Sequence, residues 1–451
     1  MNTNQNNTPK NFAQGFTRKL DKAVTQYLPD PFVIAILLTL MVIIMALVFT
    51  SSRPREIVEL WYSSIWSLLK FTMQMALILI TGYTLAQTPL FKSILRMGVT
   101  KLDTNTKSII GITLISILCS WINWGLGLVA GALVAKQIVE LHPQLNFKRL
   151  VASGYTGFIV WHGGLSGSIP LALNSSNNFS MEYLDGPLGL SQTLFSPLNL
   201  IALGGLIVIL PLTNWFLSRS EVSSQNLSFK KDSSKSIQKE NPADRLNQSR
   251  WLAVIFASLA ILGLFLYSKN QGFQLNLDSI NFMFLFLGFL LFLNPILFAK
   301  TFNEGTSKVG PILLQYPLYA GIMGLMKGTG LATLISKAFV SISGETFFPL
   351  MSFLSAGLVN IFVPSGGGQW VVQAPIMLPA ALELGVSPAT TALAVAWGDA
   401  WTNLLQPFWA LPLLSIAGLE TKDIMGHLLV VLLVSGLYLS SIFVIVPMLL
   451  S

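Results

Sequence analysis

The sequence predicts an all-α polytopic membrane protein: two inverted repeats, about nine transmembrane helices, two opposed re-entrant hairpins and two broken helices. Three observations carry this. The chain is 53% hydrophobic and only 10% charged, outside the range of soluble domains. Uncharged runs at 32–49, 251–268 and 424–450 are long enough to cross a bilayer. Other apolar stretches are interrupted by glycine, proline and amides, in the same order in both halves. Paired interruptions of this kind point to a binding site at membrane depth.

Along the chain, residues 1–30 read as a polar cytoplasmic tail, with 16–28 placed on the membrane surface. No small-residue cleavage site follows the first apolar run, so it is expected to be a retained helix. The first repeat, 31–218, opens with helix 31–50. A second helix follows with its membrane part at 71–91 and an extension over 57–70. LFKSILRMGVTKLD carries three bases and reads as an interfacial arm. The uncharged run 108–135 is too long for one span and breaks at NWGLG, which predicts a hairpin near 105–141. A further apolar segment breaks at WHGGLSGSIP, and a helix ends the repeat near residue 217.

Residues 219–250, rich in Ser, Asn, Gln and Lys, form a cytoplasmic linker. A connector helix and loop occupy 251–278. The second repeat, 279–451, has helices at 279–299 and 311–330, an arm at 331–344 and a hairpin near 346–384. The segment AWGDAWTNLLQPFWALP is broken in its turn, and a last helix follows. The hairpin tip is VPSGGGQW, and three glycines cannot continue a lipid-facing helix cheaply. Spacing ties the halves together: Asn123 to Trp161 is 38 residues and Asn360 to Trp397 is 37. The odd connector inverts the second copy. With the N-terminus cytoplasmic, 21 of the 27 Lys and Arg fall on the cytoplasmic side, as the positive-inside rule requires. The C-terminus is then periplasmic. The net charge of +8 is thereby explained by topology, without nucleic acid. Cys119 is the only cysteine, which excludes an internal disulfide and a cysteine metal site.

Opposed tips would bring helix N-termini, which favour an anion, and freed carbonyls, which favour a cation, to the bilayer midplane. The candidate substrate-binding residues are Asn123, Gly125 and Gly127 at the first tip and Ser166 and Ser168 in the first break. In the second half they are Ser365, Gly366, Gly367, Gly368 and Gln369 at the tip and Asn403 and Gln406 in the break. The competing reading of the glycines is close helix packing. Asp399 is the only charged residue between Glu383 and Glu420. A carboxylate at membrane depth is a functional candidate: it either carries a proton or stays ionised beside a cation. The competing reading is a helix cap near the interface. His162 holds the matching place in the first half as a second coupling candidate, against a structural hydrogen-bonded role. Tryptophans crowd both breaks, as interfacial anchors or as the wall of an apolar slot. No Lys or Arg falls within the tips, so a small monocarboxylate fits better than a multiply charged anion.

VPSGGGQWVVQAPIMLPAA, QPFWALPLLSIAGL, INWGLGLVAGA and the opening LPDPFVIAILLTL together resemble the bacterial short-chain fatty acid transporter family, over nearly the whole chain. The resemblance implies uptake of butyrate, acetoacetate or similar acids across a bacterial inner membrane. It also implies a larger superfamily of inverted-repeat transporters that often work by an elevator motion, and by analogy a homodimer. Sodium-coupled relatives carry a Ser-Asn-Thr signature at their tips. NWGLG and PSGGG differ from it, so H+ or Na+ both stand as coupling ions, and no cofactor is expected. His162 also departs from the family, where a small residue precedes the two glycines. The competing functions are an anion channel and an intramembrane serine hydrolase.

Overall fold

The computed structural model describes residues 29–176, 178–218, 241–271 and 275–450, and every regular element among them is a helix. Most of the expected N-terminal tail, including its surface stretch, and the linker through residue 240 lie outside the described residues. Helix α1 (Pro31–Phe49) starts where Asp30 Oδ1 accepts the Phe32 N–H at 2.8 Å, with Pro31 in the first turn. Its length of roughly 28 Å matches a hydrocarbon core. Leu37, Ile44, Val48 and Phe49 project from it uncovered, as suits a lipid-facing helix.

The stretch expected as one long second helix is two, α2 (Pro54–Ser64) and α3 (Leu69–Ala86). Ser63, Ser64 and Ser67 crowd the join, and serine competes for backbone hydrogen bonds. The basic arm is α4 (Pro89–Val99). Limbs α5 (Asn105–Ile122) and α6 (Trp124–Leu141) meet at Asn123 alone, whose extended backbone makes the break. Helix α7 (Phe147–Thr156) passes into a 3-10 turn, Gly157–Gly163, and then α8 (Ser168–Leu173). Helix α9 (Pro197–Leu217) closes the first half.

After the short α10 (Pro242–Asn247) and the exposed α11 (Arg250–Gln271) come α12 (Leu277–Phe292), α13 (Pro295–Thr306) and α14 (Gly310–Gly328). The sequence predicts a single helix over 279–299. Instead the chain breaks at Leu293, whose φ of 50° is left-handed, and restarts at Pro295 with Asn294 as cap. Proline has no N–H to continue the ladder. The expected second arm and the first hairpin limb form one helix, α15 (Leu331–Phe362), kinked at Gly344 with φ 61° and ψ 168°, a region essentially reserved for glycine. Then follow α16 (Gly366–Glu383), α17 (Pro388–Thr402), a 3-10 turn Asn403–Leu405, α18 (Pro407–Ala417) and α19 (Met425–Leu450).

Eight helices among the described residues are long and apolar enough to cross a membrane, or nine when α13 and α14, bent by 50°, are taken as one span. Both limbs of the first hairpin are among the eight, because length and composition do not separate a crossing from a re-entrant limb. The helices pack as two bundles. One joins α1, α2 and α3 with α12, α13 and α14. The other joins both hairpins and both broken segments with α9 and α19. They meet where α3 faces α6 and α14 faces α16.

Candidate functional site

A cavity of about 170 Å³ lies on this meeting surface, walled by both bundles. From the hairpin bundle come the first turns of α6 (Trp124, Gly125) and α16 (Gly366, Gly367), with Pro364 and Ser365 just before α16. Leu128, Val129, Trp161, Ser168, Trp409 and Pro412 complete that wall. Facing them are Met75, Leu79 and Tyr83 of α3, Gln315 and Tyr316 of α14, and Lys308 of the preceding turn. The N–H groups of a helix's first turn have no intrahelical acceptor and carry the positive end of the dipole. Two such ends, on helices of 18 residues each, converge on one mostly apolar space.

Five of the sequence candidates line this cavity: Gly125, Ser168, Ser365, Gly366 and Gly367. A Cβ on Gly125 would stand 2.9 Å from the Leu79 carbonyl, one on Gly366 would collide with His162 Nε2, and one on Gly367 would stand 2.7 Å from Tyr316 Oη. None of the three has positive φ, so glycine serves close approach here and not an unusual backbone. Ser365 Oγ donates to Tyr316 Oη at 3.0 Å and accepts the Gly368 N–H at 3.4 Å. It therefore caps α16 and ties its tip to the facing bundle.

The other candidates surround the cavity without lining it. Asn123 caps α6 through the Leu126 N–H and reaches the Ile78 carbonyl. Gly127 packs on Ser120 and Gly368 on the Tyr319 ring. Ser166 accepts the Trp124 N–H at 2.9 Å, fixing the first tip to the first break. Asn403 Oδ1 takes the Trp161 indole N–H at 2.9 Å, and Gln406 Nε2 donates to the Asn360 carbonyl at 2.6 Å. Gln369 Nε2 donates to the Ala356 carbonyl and to Gln373.

His162 and Asp399 lie together, fully buried. His162 Nδ1 donates to the Ala396 carbonyl at 2.8 Å, so Nε2 of the neutral ring accepts from Ser168 Oγ at 3.0 Å. Asp399 Oδ1 is 3.9 Å from Nδ1. Neither carboxyl oxygen of Asp399 makes a hydrogen bond of full geometry; the Asn403 side-chain amide stands beside it with its own Nδ2 unpaired, and Asn360 Oδ1, Gln369 Oε1 and Gln406 Oε1 also lack partners. Apart from the Asn403 Nδ2 donor these are acceptors, and a buried acceptor left unpaired costs on the order of 1–3 kcal/mol. No group of three or more His, Cys, Asp or Glu is placed to hold a metal among the described residues.

The tryptophans divide between the two readings open to them. Trp124, Trp161 and Trp409 form an aromatic wall, with ring centroids 5.6–6.0 Å apart, and the indole N–H groups of Trp124 and Trp409 have no partner. Trp370 and Trp397 are bonded in the core, to Ser180 and Asn199, and Trp401 donates to the Leu432 carbonyl. The facing residues Tyr83, Lys308, Gln315 and Tyr316 escape sequence reasoning, because they sit in or beside helices with no interrupted pattern. The one available signal was Lys308, a base directly before an apolar helix. His427 is buried in α19, its Nε2 2.7 Å from Asn214 Oδ1.

Comparison with known proteins places this architecture. Two solved transporters share the fold at low identity: YdaH of Alcanivorax borkumensis (TM-score 0.57, 12% identity, 92% of this chain and 98% of that one) and MtrF of Neisseria gonorrhoeae, from a class of antimetabolite efflux pumps (0.55, 14%, 95% and 97%). Two relatives carry the provisional name of short-chain fatty acid transporter. One, from Escherichia coli (strain K12), is 38% identical over 93% of this chain and 97% of its own length. The other, from Haemophilus influenzae, is 34% identical over 92% and 96%. The short chain fatty acid transporter family model matches residues 13–446, and the chain belongs to that family.

Proposed function

We propose that the protein is a secondary active transporter that takes short monocarboxylates such as butyrate or acetoacetate across a bacterial inner membrane. The observation that carries this is the convergence of two helix N-termini on one small, largely apolar cavity. The N-termini suit a carboxylate and the tryptophan wall suits a short alkyl tail. The volume is well below the roughly 300 Å³ of the smallest drug-sized sites, so the solute is small. The wall is shared between bundles, which fits an elevator-type motion of the hairpin bundle against the other. In this reading the hairpins are re-entrant, the halves are inverted, the N-terminus is cytoplasmic and the C-terminus periplasmic. Asp399 carries the coupling proton. Sodium among the unpaired oxygens of Asp399, Asn360, Gln369 and Gln406 is the alternative, since an unpaired buried carboxylate needs one or the other.

Purified protein in liposomes should accumulate labelled butyrate or acetoacetate above equilibrium under an inward proton or sodium gradient. No uptake under either gradient, in vesicles holding folded protein, overturns the reading. Sustained large currents would favour a channel instead.

One observation favours a second reading. Ser168, His162 and Asp399 stand in the order of a serine-hydrolase triad, with Ser168 on the cavity. The Nδ1–H, however, goes to the Ala396 carbonyl and not to Asp399, and this is why transport is preferred. Covalent labelling of Ser168 by a serine-directed phosphonate would reverse that preference.

A further inference from the structure

Lys308 is the only charged residue among those that line the cavity. It sits in the turn between α13 and α14, where the chain bends by 50°, and its side chain is exposed at the cavity's edge. The ammonium stands 5.1 Å from the centroid of the Tyr83 ring, and the Tyr83 hydroxyl donates to Glu304 Oε2 at 3.3 Å. A cation over a ring face is held in place without being neutralised. No carboxylate of the described residues lies within ion-pair distance of it, whereas Lys70, Lys107, Lys148, Lys327 and Lys422 all have one. Tyr83 and Lys308 belong to the bundle opposite the hairpin tips, so the charge lies across the cavity from the two helix N-termini.

We propose that Lys308 is the counter-charge for the substrate carboxylate and sets the preference of the site for acids over neutral solutes of the same shape. This rests on the monocarboxylate reading above. The helix ends supply partial charge only, and a small anion leaving water needs more than that. With the tips facing this mouth, the carboxylate sits between the ammonium and the helix N-termini, and the alkyl tail lies along Trp124, Trp161 and Trp409. Because Lys308 stands on the bundle that does not carry the tips, the contact exists only when the tips face this mouth. The lysine therefore marks the loading or release end of the path, and not the occluded site.

Butyrate and butyramide, equal in shape and different in charge, separate the possibilities. Binding is read from tryptophan fluorescence of the purified full-length protein, for wild type, Lys308→Met and Lys308→Arg. Wild type should bind butyrate at least tenfold more tightly than butyramide. Lys308→Met should lose about tenfold or more in butyrate affinity, the scale of one charge-assisted hydrogen bond, with butyramide unchanged. Lys308→Arg should stay within a few-fold of wild type. If wild type separates acid from amide and Lys308→Met does so equally well, the proposal is wrong and the monocarboxylate reading stands. If wild type does not separate them, both fall. A general folding defect in Lys308→Met would weaken both ligands alike, and that outcome combined with a normal Lys308→Arg also counts against a specific counter-charge.

Discussion

Asp399 is the residue whose surroundings ask most for an explanation. It is buried, 3.9 Å from a histidine nitrogen that is already engaged, with both oxygens unpaired. Asp399→Asn keeps the shape and removes the exchangeable proton. In liposomes it should retain butyrate exchange while losing accumulation driven by a pH gradient. If sodium is the coupling ion, the same change should instead raise the half-saturating sodium concentration. Wild-type accumulation under both gradients would leave Asp399 without a coupling role. As the lone charge in a 36-residue stretch between Glu383 and Glu420, Asp399 was legible from sequence. Its neighbours were only partly so. The contact of His162 with Ser168 spans six residues and could be guessed, but Ser365 meets Tyr316 across 49 positions and a helix boundary. No local pattern records a contact of that kind.

At the scale of elements, the interruptions were the readable part, because each has a local chemical cause. Asn123 and Ser365 are helix caps with glycine in the turn that follows, and the chain breaks at both. Gly344 marks the kink that ends the second arm. The splits between α2 and α3 and between α12 and α13 were missed. Hydropathy averages over a serine-rich turn or a single Asn-Pro step, even though each is enough to stop a helix. The glycine tip has a definite expectation. In Gly367→Val the Cβ would lie 2.7 Å from Tyr316 Oη and 3.0 Å from the Phe71 ring, filling the cavity wall. Uptake should fall at least tenfold. The melting temperature should stay within a few degrees, since the tip φ is not left-handed. Uptake with wild-type kinetics would mean that the tip is packing alone.

The whole molecule is two bundles with few polar ties between them. One tie is the ion pair of Lys327 on α14 with Glu182, which lies in a short 3-10 turn beyond α8, at 2.6 Å. The pair is half exposed on each side and is worth at most about 1 kcal/mol. A tie so weak can open and close during a cycle. If the bundles slide, a reversible bifunctional cross-link between Glu182→Cys and Lys327→Cys should stop uptake, and its cleavage should restore it. The native Cys119 is buried and will not compete. Undiminished uptake in fully cross-linked protein would exclude relative motion at this point. The division into bundles was not legible from sequence. It depends on which apolar faces meet, and lipid-facing and protein-facing leucines look alike in a composition.

A pocket whose walls belong to two bodies also behaves as a joint. A solute held there touches α3 and α14 on one side and α6, α16 and α18 on the other, so it resists their separation as well as being held by them. Linkage then turns recognition into heat resistance: at a hundredfold excess over Kd, a ligand bound only by the folded form adds about 2.7 kcal/mol to the unfolding free energy. Any acid the protein recognises should therefore raise its melting temperature by several degrees, with no gradient and no vesicle. A panel of acids ranked by that shift should reproduce their ranking in transport, and a carried acid that leaves the melting curve in place would show that its binding does not bridge the two bundles.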